Sequence, residues 1–587
     1  MTFVTVSSKK ENIIDIKLLR RVMRFVKPYK SIFFLSVFFS VFLGLLSIAR
    51  PIIIQYTVDH FIIGRDAEML LHYTLIMIGL LVLESVFQFL FMYAANWIGQ
   101  SVIRDIRNQL YKKILSFRLK YFDHTPIGAL VTRSVSDIEA IAEIFSQGVL
   151  VIFSDIFKII IIVLWMFYSD AMLSLISLSI FPLLVLATKY FQRAMKSAFE
   201  DERSAISRLN TFVQEHISGM KIVQIFNQEQ QELDNFKKVN ATFRIATIKA
   251  IWYFSIFLPV IEIMSAIALG AMVWYGGMDM LSGGKVTLGL MISFILLINM
   301  LFRPVRHLAD RINVLQRGIV ASNRVFKVLD TESYVHSNGD LKLDQVYGHV
   351  KFVEINFSYV KEEPVLKDIN FEVEAGQKLA LVGATGAGKS SIINLLLRFY
   401  NIDSGRILLD DKDITKYDVQ SLRGHFALVL QDVFLFSDTI YKNIVLDKPI
   451  PIELVQDAAK AIGLEKFIEQ LPGGYQYNVR ERGVMLSAGQ RQLIAFLRAY
   501  VCNPSVLILD EATSSVDTQT ENLIQKSINK LTEGRTSIII AHRLTTIQNA
   551  DKILVMDQGR IVESGTHLDL LKQKGYYNRL FELQFRS

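Results

Sequence analysis

Long apolar stretches recur through the first half of the chain and stop near residue 305. Each is long enough to cross a hydrocarbon core about 30 Å thick, for which about 20 helical residues suffice. The pattern predicts six membrane-spanning helices, at about residues 31–60, 69–98, 148–168, 171–191, 250–275 and 286–305. From about residue 345 onward, short apolar runs alternate with helical patterns, which is typical of a soluble α/β domain.

Lysine and arginine are distributed unevenly among the segments between these stretches. The N-terminal segment and the second and fourth connections are rich in both, whereas the other three connections carry at most one. By the positive-inside rule, both termini are expected on the cytoplasmic side of the inner membrane. The two basic connections lack turn signals, so we expect helices that project into the cytoplasm, with tips near residues 123–126 and 217–219. Solvated loops are the alternative interpretation.

The same pattern divides the chain into four parts. Residues 1–30 form a cytoplasmic segment whose basic, amphipathic stretch 16–26 is predicted to lie on the membrane surface, with packing against protein as the alternative. Residues 31–329 are predicted to form the six-helix transmembrane domain with its long cytoplasmic helix extensions. The polar stretch 330–348 is a predicted linker, and residues 349–587 form the α/β domain.

Composition agrees with a membrane protein and excludes several other classes. Hydrophobic residues make up 51% of the 587 positions and charged residues 20%, which is too apolar for an ordinary soluble enzyme and too poor in charge for a disordered chain. The net charge of +8 fits cytoplasmic loops better than a nucleic-acid site. The single cysteine, Cys502, excludes an intrachain disulfide and a cysteine-held metal cluster.

A phosphate-binding loop follows the first apolar strand of the α/β domain. The strand-like run at 378–382 leads into the pattern G-x-x-x-x-G-K-S, and a helix is predicted from Ser391 to Leu397. Successive backbone N–H groups of such a loop face phosphate oxygens, and the helix N-terminus adds its dipole. Lys389 would reach the β- and γ-phosphates, and Ser390 would bind Mg²⁺. The predicted loop contains Gly383, Ala384, Thr385, Gly386, Ala387, Gly388, Lys389, Ser390 and Ser391.

Further polar side chains follow other strand-like runs. Asp510 ends an apolar run and could hold hydrated Mg²⁺, and Glu511 could orient or deprotonate the attacking water. Gln431 and His542 follow two more such runs, where open α/β sheets place ligand groups. A loop of small residues at 486–490 precedes a predicted helix at 491–500 and could bind an anion. For Gln431 and His542 alone, ordinary surface polarity remains an equal alternative.

Together these motifs, in this order, resemble the nucleotide-binding domain of an ATP-binding cassette (ABC) transporter. The whole chain resembles a half-transporter of the ABC exporter superfamily, of the multidrug or lipid A flippase type, over about residues 15–585. The resemblance implies an α-helical six-span domain followed by an α/β P-loop domain of ABC type. It also implies a dimer with a second half-transporter, ATP and Mg²⁺ as cofactors, and contact with membrane lipids but not with nucleic acid.

The resemblance assigns a role to each matching position. Tyr359 would stack on adenine, Gly383–Ser391 would be the Walker A loop, and Gln431 would reach Mg²⁺ and sense the membrane domain. Residues 480–483 resemble the X-loop. The remaining implied roles are the signature loop (Ser487, Ala488, Gly489 and Gln490), the Walker B aspartate (Asp510), the catalytic glutamate (Glu511), the D-loop aspartate (Asp517) and the switch histidine (His542).

Two positions depart from the family pattern, since Ala488 and Arg480 stand where glycine is usual. In heterodimeric members, one subunit often combines an altered signature with an intact catalytic glutamate, as this chain does. All other motifs are intact, so the homodimer and the heterodimer both remain open.

The resemblance implies ATP-driven export of a lipid or an amphipathic, drug-like molecule by alternating access of a dimer. A peptide exporter and an ATP-liganded channel or scaffold without sustained turnover are the alternatives. The spans carry four ionisable side chains, which are costly in a membrane and often functional: Glu84, Asp155, Lys158 and Glu262. Asp155 and Lys158 are spaced for a pair on one helix, whereas Glu84 and Glu262 are candidates for binding a cationic amphiphile.

Overall fold

The first half of the molecule is built from long α-helices. The structure is a computed structural model that describes residues 15–333, 339–510, 518–541 and 543–585. Its helices before the first strand are α1 (Ile16–Arg24), α2 (Lys30–Thr57), α3 (Ala67–Leu115), α4 (Leu119–His124), α5 (Ile127–Ser134), α6 (Ser136–Glu143), α7 (Leu150–Ser169), α8 (Ala171–Leu178), α9 (Phe181–Ser218), α10 (Met220–Ile225), α11 (Glu229–Leu281) and α12 (Leu288–Asp330).

Among the described residues, five helical stretches are long and apolar enough to cross a membrane: Lys27–Ile62, Ala67–Leu115, Ile127–Ser169, Ala171–Ser218 and Glu229–Leu281. A shorter apolar stretch, Leu288–Pro304, opens α12. Helix α11 has 53 residues and is therefore about 80 Å long at 1.5 Å per residue. Because about 30 Å spans the hydrocarbon, most of such a helix continues beyond it.

Two compact units divide the chain, and the boundary does not follow the sequence. One unit contains Met1–Leu115 and Pro126–Glu332, and the other contains Ser116–Thr125 and Ser333–Ser587. The short helix α4 therefore belongs to the unit that holds the α/β domain, although α3 before it and α5 after it belong to the helical unit.

Helix α1 packs against α12 within the helical unit. Val22 is fully buried, and the Arg21 guanidinium donates two hydrogen bonds of 2.6 Å to the Asp330 carboxylate. The guanidinium also lies 4.1 Å from the centre of the Phe326 ring. Part of the amphipathic face is thus covered by protein, while Ile16 stays exposed. Contact of α1 with the membrane surface stays a prediction.

The described part of the α/β unit contains two sheets. Its strands are β1 (Val350–Ser358), β2 (Pro364–Val373), β3 (Lys378–Gly383), β4 (Ser404–Leu409), β5 (Lys412–Asp413), β6 (Phe426–Val429), β7 (Val506–Asp510), β8 (Thr536–Ile540), β9 (Lys552–Asp557) and β10 (Arg560–Gly565). A four-stranded antiparallel sheet has the order β2-β1-β4-β5, and a six-stranded sheet has the order β10-β9-β3-β8-β7-β6.

In the ranges that the structure describes, ten helices accompany these strands: α13 (Lys389–Leu396), α14 (Val419–Gly424), α15 (Ile440–Val445), α16 (Ile452–Ala461), α17 (Glu465–Glu469), α18 (Ala488–Val501), α19 (Thr518–Thr532), α20 (Leu544–Gln548), α21 (His567–Gln573) and α22 (Tyr576–Phe585). In the six-stranded sheet, β3, β6, β7, β8 and β9 run parallel. Alternate residues of β3 enter two different apolar cores, which explains why its sequence is continuously apolar.

Candidate functional site

The predicted phosphate loop joins β3 to α13 and is shaped by its glycines. Gly386 and Gly388 have φ of +84° and +101°, which favour glycine because other residues are strained there. A Cβ atom on Gly388 would lie 2.6 Å from Leu366 Cδ2, so packing also excludes a side chain. Helix α13 begins directly after Gly388, at Lys389, two residues earlier than the sequence predicted. The first turn of the helix therefore carries Lys389 and Ser390.

Lys389 is buried within the loop. Its ammonium donates hydrogen bonds to the carbonyl oxygens of Gly383, at 2.7 Å, and Ala384, at 2.9 Å. Burial lowers the pKa of Lys389, and the nearby Asp510 carboxylate opposes this effect. By contrast, Ala384, Thr385, Gly386 and Ser390 are exposed. The loop therefore offers backbone N–H groups and a hydroxyl to solvent, beside a lysine that is already held in position.

Three of the predicted ligand groups lie at one edge of the six-stranded sheet. Leu381 of β3 and Asp510 of β7 both pair with Ile540 of β8, so these strands end at the same level. Gln431 lies two residues beyond the end of β6, which pairs in parallel with β7. Because the carboxyl ends of parallel strands meet at one edge, the phosphate loop, Asp510 and Gln431 face the same region.

The signature loop of the resemblance lies at the start of α18. Ser487 is the N-cap residue, and it forms a capping box with Gln490: the Gln490 N–H donates to Ser487 Oγ at 3.2 Å, and the Ser487 N–H donates to Gln490 Oε1 at 2.9 Å. The helix begins at Ala488, three residues before the predicted start. Ser487 and Ala488 are exposed, whereas Gly489 is buried. An exposed, capped helix start can bind an anion.

Tyr359 lies beside the phosphate-loop helix. Its hydroxyl is 3.2 Å from Ser391 Oγ and accepts a hydrogen bond of 3.1 Å from the Asn394 amide. Its ring packs edge-to-face against Tyr400, with the ring centres 4.9 Å apart. The tyrosine that the resemblance assigns to adenine is thus anchored to the helix that carries Lys389.

The predicted X-loop has an unusual backbone. Arg480 has φ of 57° and ψ of −172°, and Arg482 has φ of 53° and ψ of 18°. Arg480 therefore adopts a conformation that is essentially restricted to glycine. Glycine, which is usual at this position in the family pattern, would adopt this conformation without strain.

Some predicted residues lie outside the described part of the chain. These are Glu511, His542 and the D-loop stretch 514–517 with Asp517. Their roles stay predictions.

Two contacts were not found from the sequence. Asp155 of α7 forms an ion pair with Arg311 of α12, with 3.1 Å between Asp155 Oδ2 and Arg311 Nε. The spacing along α7 had predicted only Lys158 as a partner of Asp155. In the α/β unit, the Tyr400 hydroxyl donates a hydrogen bond to the Asp123 carboxylate. These partners are distant in sequence, so helical spacing gives no signal for either contact.

Two family models and several known proteins are similar to this chain. Residues 33–305 match the family model of the ABC transporter transmembrane region, and residues 366–514 match the ABC transporter model. Exp8 of Streptococcus pneumoniae, named as an ABC transporter ATP-binding protein, is 37% identical over 96% of this chain and 97% of its own. The chain belongs to the ABC transporter family.

Two further relatives of this ABC transporter carry names that describe a transport activity. YgaD of Bacillus subtilis, named for multidrug export as an ATP-binding/permease protein, is 35% identical over 96% of this chain and 99% of its own. The ATP-dependent lipid A-core flippase of Syntrophus aciditrophicus is 34% identical over 97% of this chain and 94% of its own. This ABC transporter is a membrane protein of the half-transporter exporter type that binds ATP, couples ATP hydrolysis to transport and pairs with another subunit.

Proposed function

We propose that this ABC transporter moves or flips a lipid or another amphipathic molecule across the cytoplasmic membrane by alternating access of a dimer. The observation that carries the proposal is the joining, in one chain, of a phosphate loop, Asp510 and Gln431 at one sheet edge to apolar membrane-length helices. The apolar stretch that opens α12 would be the sixth span. The multidrug and lipid A-core names of the relatives support an amphipathic substrate.

The donor set fits Mg²⁺. Ser390 offers a hydroxyl, Gln431 an amide oxygen and Asp510 a carboxylate, and oxygen atoms are the ligands that Mg²⁺ prefers. These residues would hold Mg²⁺, which would neutralise charge on the phosphates of ATP. Lys389 would bind the β- and γ-phosphates, and Glu511 would orient or deprotonate the attacking water. His542 would contact the γ-phosphate.

The dimer is supported by surfaces that one copy leaves exposed. The phosphate loop and the capped start of α18 both face solvent at Gly386 and Ala488, and we propose that each ATP lies between one such loop and the α18 start of the partner subunit. The tip helix α10 also exposes apolar side chains, with Ile222 at 59% and Ile225 at 60% of full exposure. Exposed apolar patches of this kind commonly mark contact surfaces, so we expect the dimer to cover this tip.

Phosphate release by the full chain in lipid nanodiscs tests the proposal. Wild type should hydrolyse ATP, whereas Glu511→Gln should still bind a fluorescent ATP analogue but release phosphate at least about 100-fold more slowly. Lys389→Ala should bind the analogue at least about tenfold more weakly and lose turnover, and the surface substitution Glu453→Gln should change neither. Equal turnover of wild type and Glu511→Gln would refute the catalytic assignment.

A second measurement tests transport. Proteoliposomes that contain the active chain should move a fluorescent phospholipid between leaflets when ATP is added, and Glu511→Gln should abolish this movement. Turnover without movement of phospholipid or drug-like dyes would contradict the proposed substrate class. Turnover by the chain alone would show a homodimer, whereas folded, ATP-binding protein with little turnover would show that a different partner subunit is needed.

A further inference from the structure

Three side chains of types that bind metal ions lie together at one end of the β1–β2 strand pair. His349 directly precedes β1, Glu372 lies near the end of β2, and Glu374 directly follows it. An imidazole nitrogen of His349 and a carboxylate oxygen of each glutamate all lie within 4.8 Å of one another. The four-stranded sheet carries this cluster, whereas the proposed Mg²⁺ ligands lie at one edge of the six-stranded sheet. The cluster is therefore a second candidate metal site.

The register of the two strands brings these side chains to one surface. Val350 of β1 pairs with Val373 of β2 in antiparallel orientation, and both valine side chains are buried. Successive residues of a strand point to opposite faces of the sheet. The neighbours of the two valines, namely His349, Glu372 and Glu374, therefore face away from the core together. Backbone pairing alone thus places one imidazole and two carboxylates side by side.

The turn between β4 and β5 holds His349 in place. The Asp410 carboxylate accepts hydrogen bonds of 2.8–3.0 Å from three successive backbone N–H groups, of which the last belongs to His349. On the ring, Nε2 is 2.8 Å from Glu372 Oε1, and Nδ1 is 3.7 Å from Asp411 Oδ1. A histidine that binds a metal through one ring nitrogen commonly presents the other N–H group to a carboxylate. Asp411 is in position for that second role.

We propose that His349, Glu372 and Glu374 form a Zn²⁺ site, with a water molecule as the fourth ligand. Zn²⁺ binds histidine nitrogen and carboxylate oxygen at about 2.0–2.2 Å, and tetrahedral ligands at that bond length lie about 3.4 Å apart. The separations in the cluster range from 2.8 Å to at most 4.8 Å, so small side-chain rotations would close the site. The imidazole would bind through Nε2 and keep its hydrogen on Nδ1, beside Asp411.

Lys351 competes with the metal for one ligand. Its ammonium lies 3.1 Å from Glu372 Oε2, and a second ammonium, that of Lys552, donates to the Glu372 carbonyl oxygen at 2.9 Å. Removing the nearer positive charge leaves the Glu372 carboxylate to the metal alone. Lys351→Met, which keeps most of the aliphatic side chain, should therefore tighten Zn²⁺ binding about fivefold, as expected for a partly exposed ion pair. A residue that only stabilised the strand pair would not have this effect.

Zinc titration of the full chain in nanodiscs tests the site. Tag-free protein, stripped of metal with a chelator and kept without nucleotide, should bind one Zn²⁺ per chain in competition with a fluorescent zinc indicator. His349→Ala and Glu374→Gln should each weaken binding at least about 100-fold, and Asp411→Asn about tenfold. Glu363→Gln is the matched control, because it removes an exposed carboxylate just before β2 and should leave the affinity unchanged.

Thermal unfolding and X-ray absorption give two further readouts. Zn²⁺ at about 100 times its Kd should raise the Tm of the ATP-binding domain by about 5–10 °C in wild type, and it should not do so in His349→Ala. The zinc absorption edge should show nitrogen and oxygen ligands at about 2.0–2.2 Å and no sulfur. Binding of a fluorescent ATP analogue shows that each variant is folded.

Three results would overturn the zinc site. These are the absence of Zn²⁺ binding by wild type, equal Zn²⁺ affinity of wild type and His349→Ala, and weaker binding by Lys351→Met. None of them bears on ATP turnover or on transport, so the proposed function is tested separately.

Discussion

Replacing Arg480 with glycine should stabilise the ATP-binding domain. The φ of 57° and ψ of −172° at this residue fall in a region that only glycine adopts readily, and such strain costs about 1–3 kcal/mol. Glycine also raises the conformational entropy of the unfolded chain, which lowers the free energy of unfolding by about 0.4–1 kcal/mol. The net gain in the free energy of unfolding should therefore be about 1 kcal/mol.

Thermal unfolding of the full chain in nanodiscs, followed by amide exchange in β3 and β7, measures this gain. For a domain of about 150–250 residues, 1 kcal/mol corresponds to a shift in Tm of about 2–4 °C, so we expect an increase of about 3 °C. Arg482→Gly is the matched control, because its φ of 53° and ψ of 18° lie in the milder left-handed helical region and should give a smaller gain.

Arg480→Ala separates backbone strain from side-chain contacts. Alanine removes most of the side chain but keeps the Cβ atom that causes the strain, so it should leave Tm nearly unchanged. An equal rise in Tm for alanine and glycine, or a fall in Tm for glycine, would refute the strain argument.

Three further changes test contacts described above. Lys389→Ala should weaken binding of a fluorescent ATP analogue by at least about tenfold, because a charge-assisted bond to phosphate is lost; undiminished affinity would contradict the phosphate role. Asp59 accepts hydrogen bonds from the Thr287 hydroxyl at 2.6 Å and from a backbone N–H in the first turn of α12 at 2.8 Å. Asp59→Ala should therefore destabilise the helical unit by about 1 kcal/mol, measured by thermal unfolding. Asp59→Asn should destabilise it less. Arg21→Asp should expose α1 to limited proteolysis, and adding Asp330→Arg should restore protection; the effect should stay below about 1 kcal/mol because both side chains are partly exposed.

Local sequence pattern was sufficient for the elements that carry the proposed phosphate site. The apolar runs before Gly383, Gln431 and Asp510 are strands, and their parallel order places all three at one edge. The glycine spacing correctly located the loop, because close packing and positive φ at Gly388 leave no alternative residue. The helix starts at Lys389 and Ala488 were placed two and three residues too late, since a first turn made of small and polar residues shows little apolar periodicity.

Contacts between distant segments could not be predicted in this way. The Asp155–Arg311 pair joins two helices, and the Tyr400–Asp123 bond joins positions 277 residues apart. Spacing along a helix reports only neighbours three or four positions away. The assignment of α4 to the α/β unit was likewise not visible, because its contacts there join positions that are distant in sequence.

If Lys389 binds phosphate as proposed, its buried ammonium affects how nucleotide binds and leaves. Its hydrogen bonds to the carbonyl oxygens of Gly383 and Ala384 stabilise the curved conformation of the loop. A triphosphate would therefore exchange one set of oxygen partners for another, rather than add bonds to a bare charge. The net gain from such an exchange is smaller than the strength of the new bonds. After release of the phosphates, the carbonyl oxygens of Gly383 and Ala384 would accept the ammonium again, and the loop would return to the shape described above.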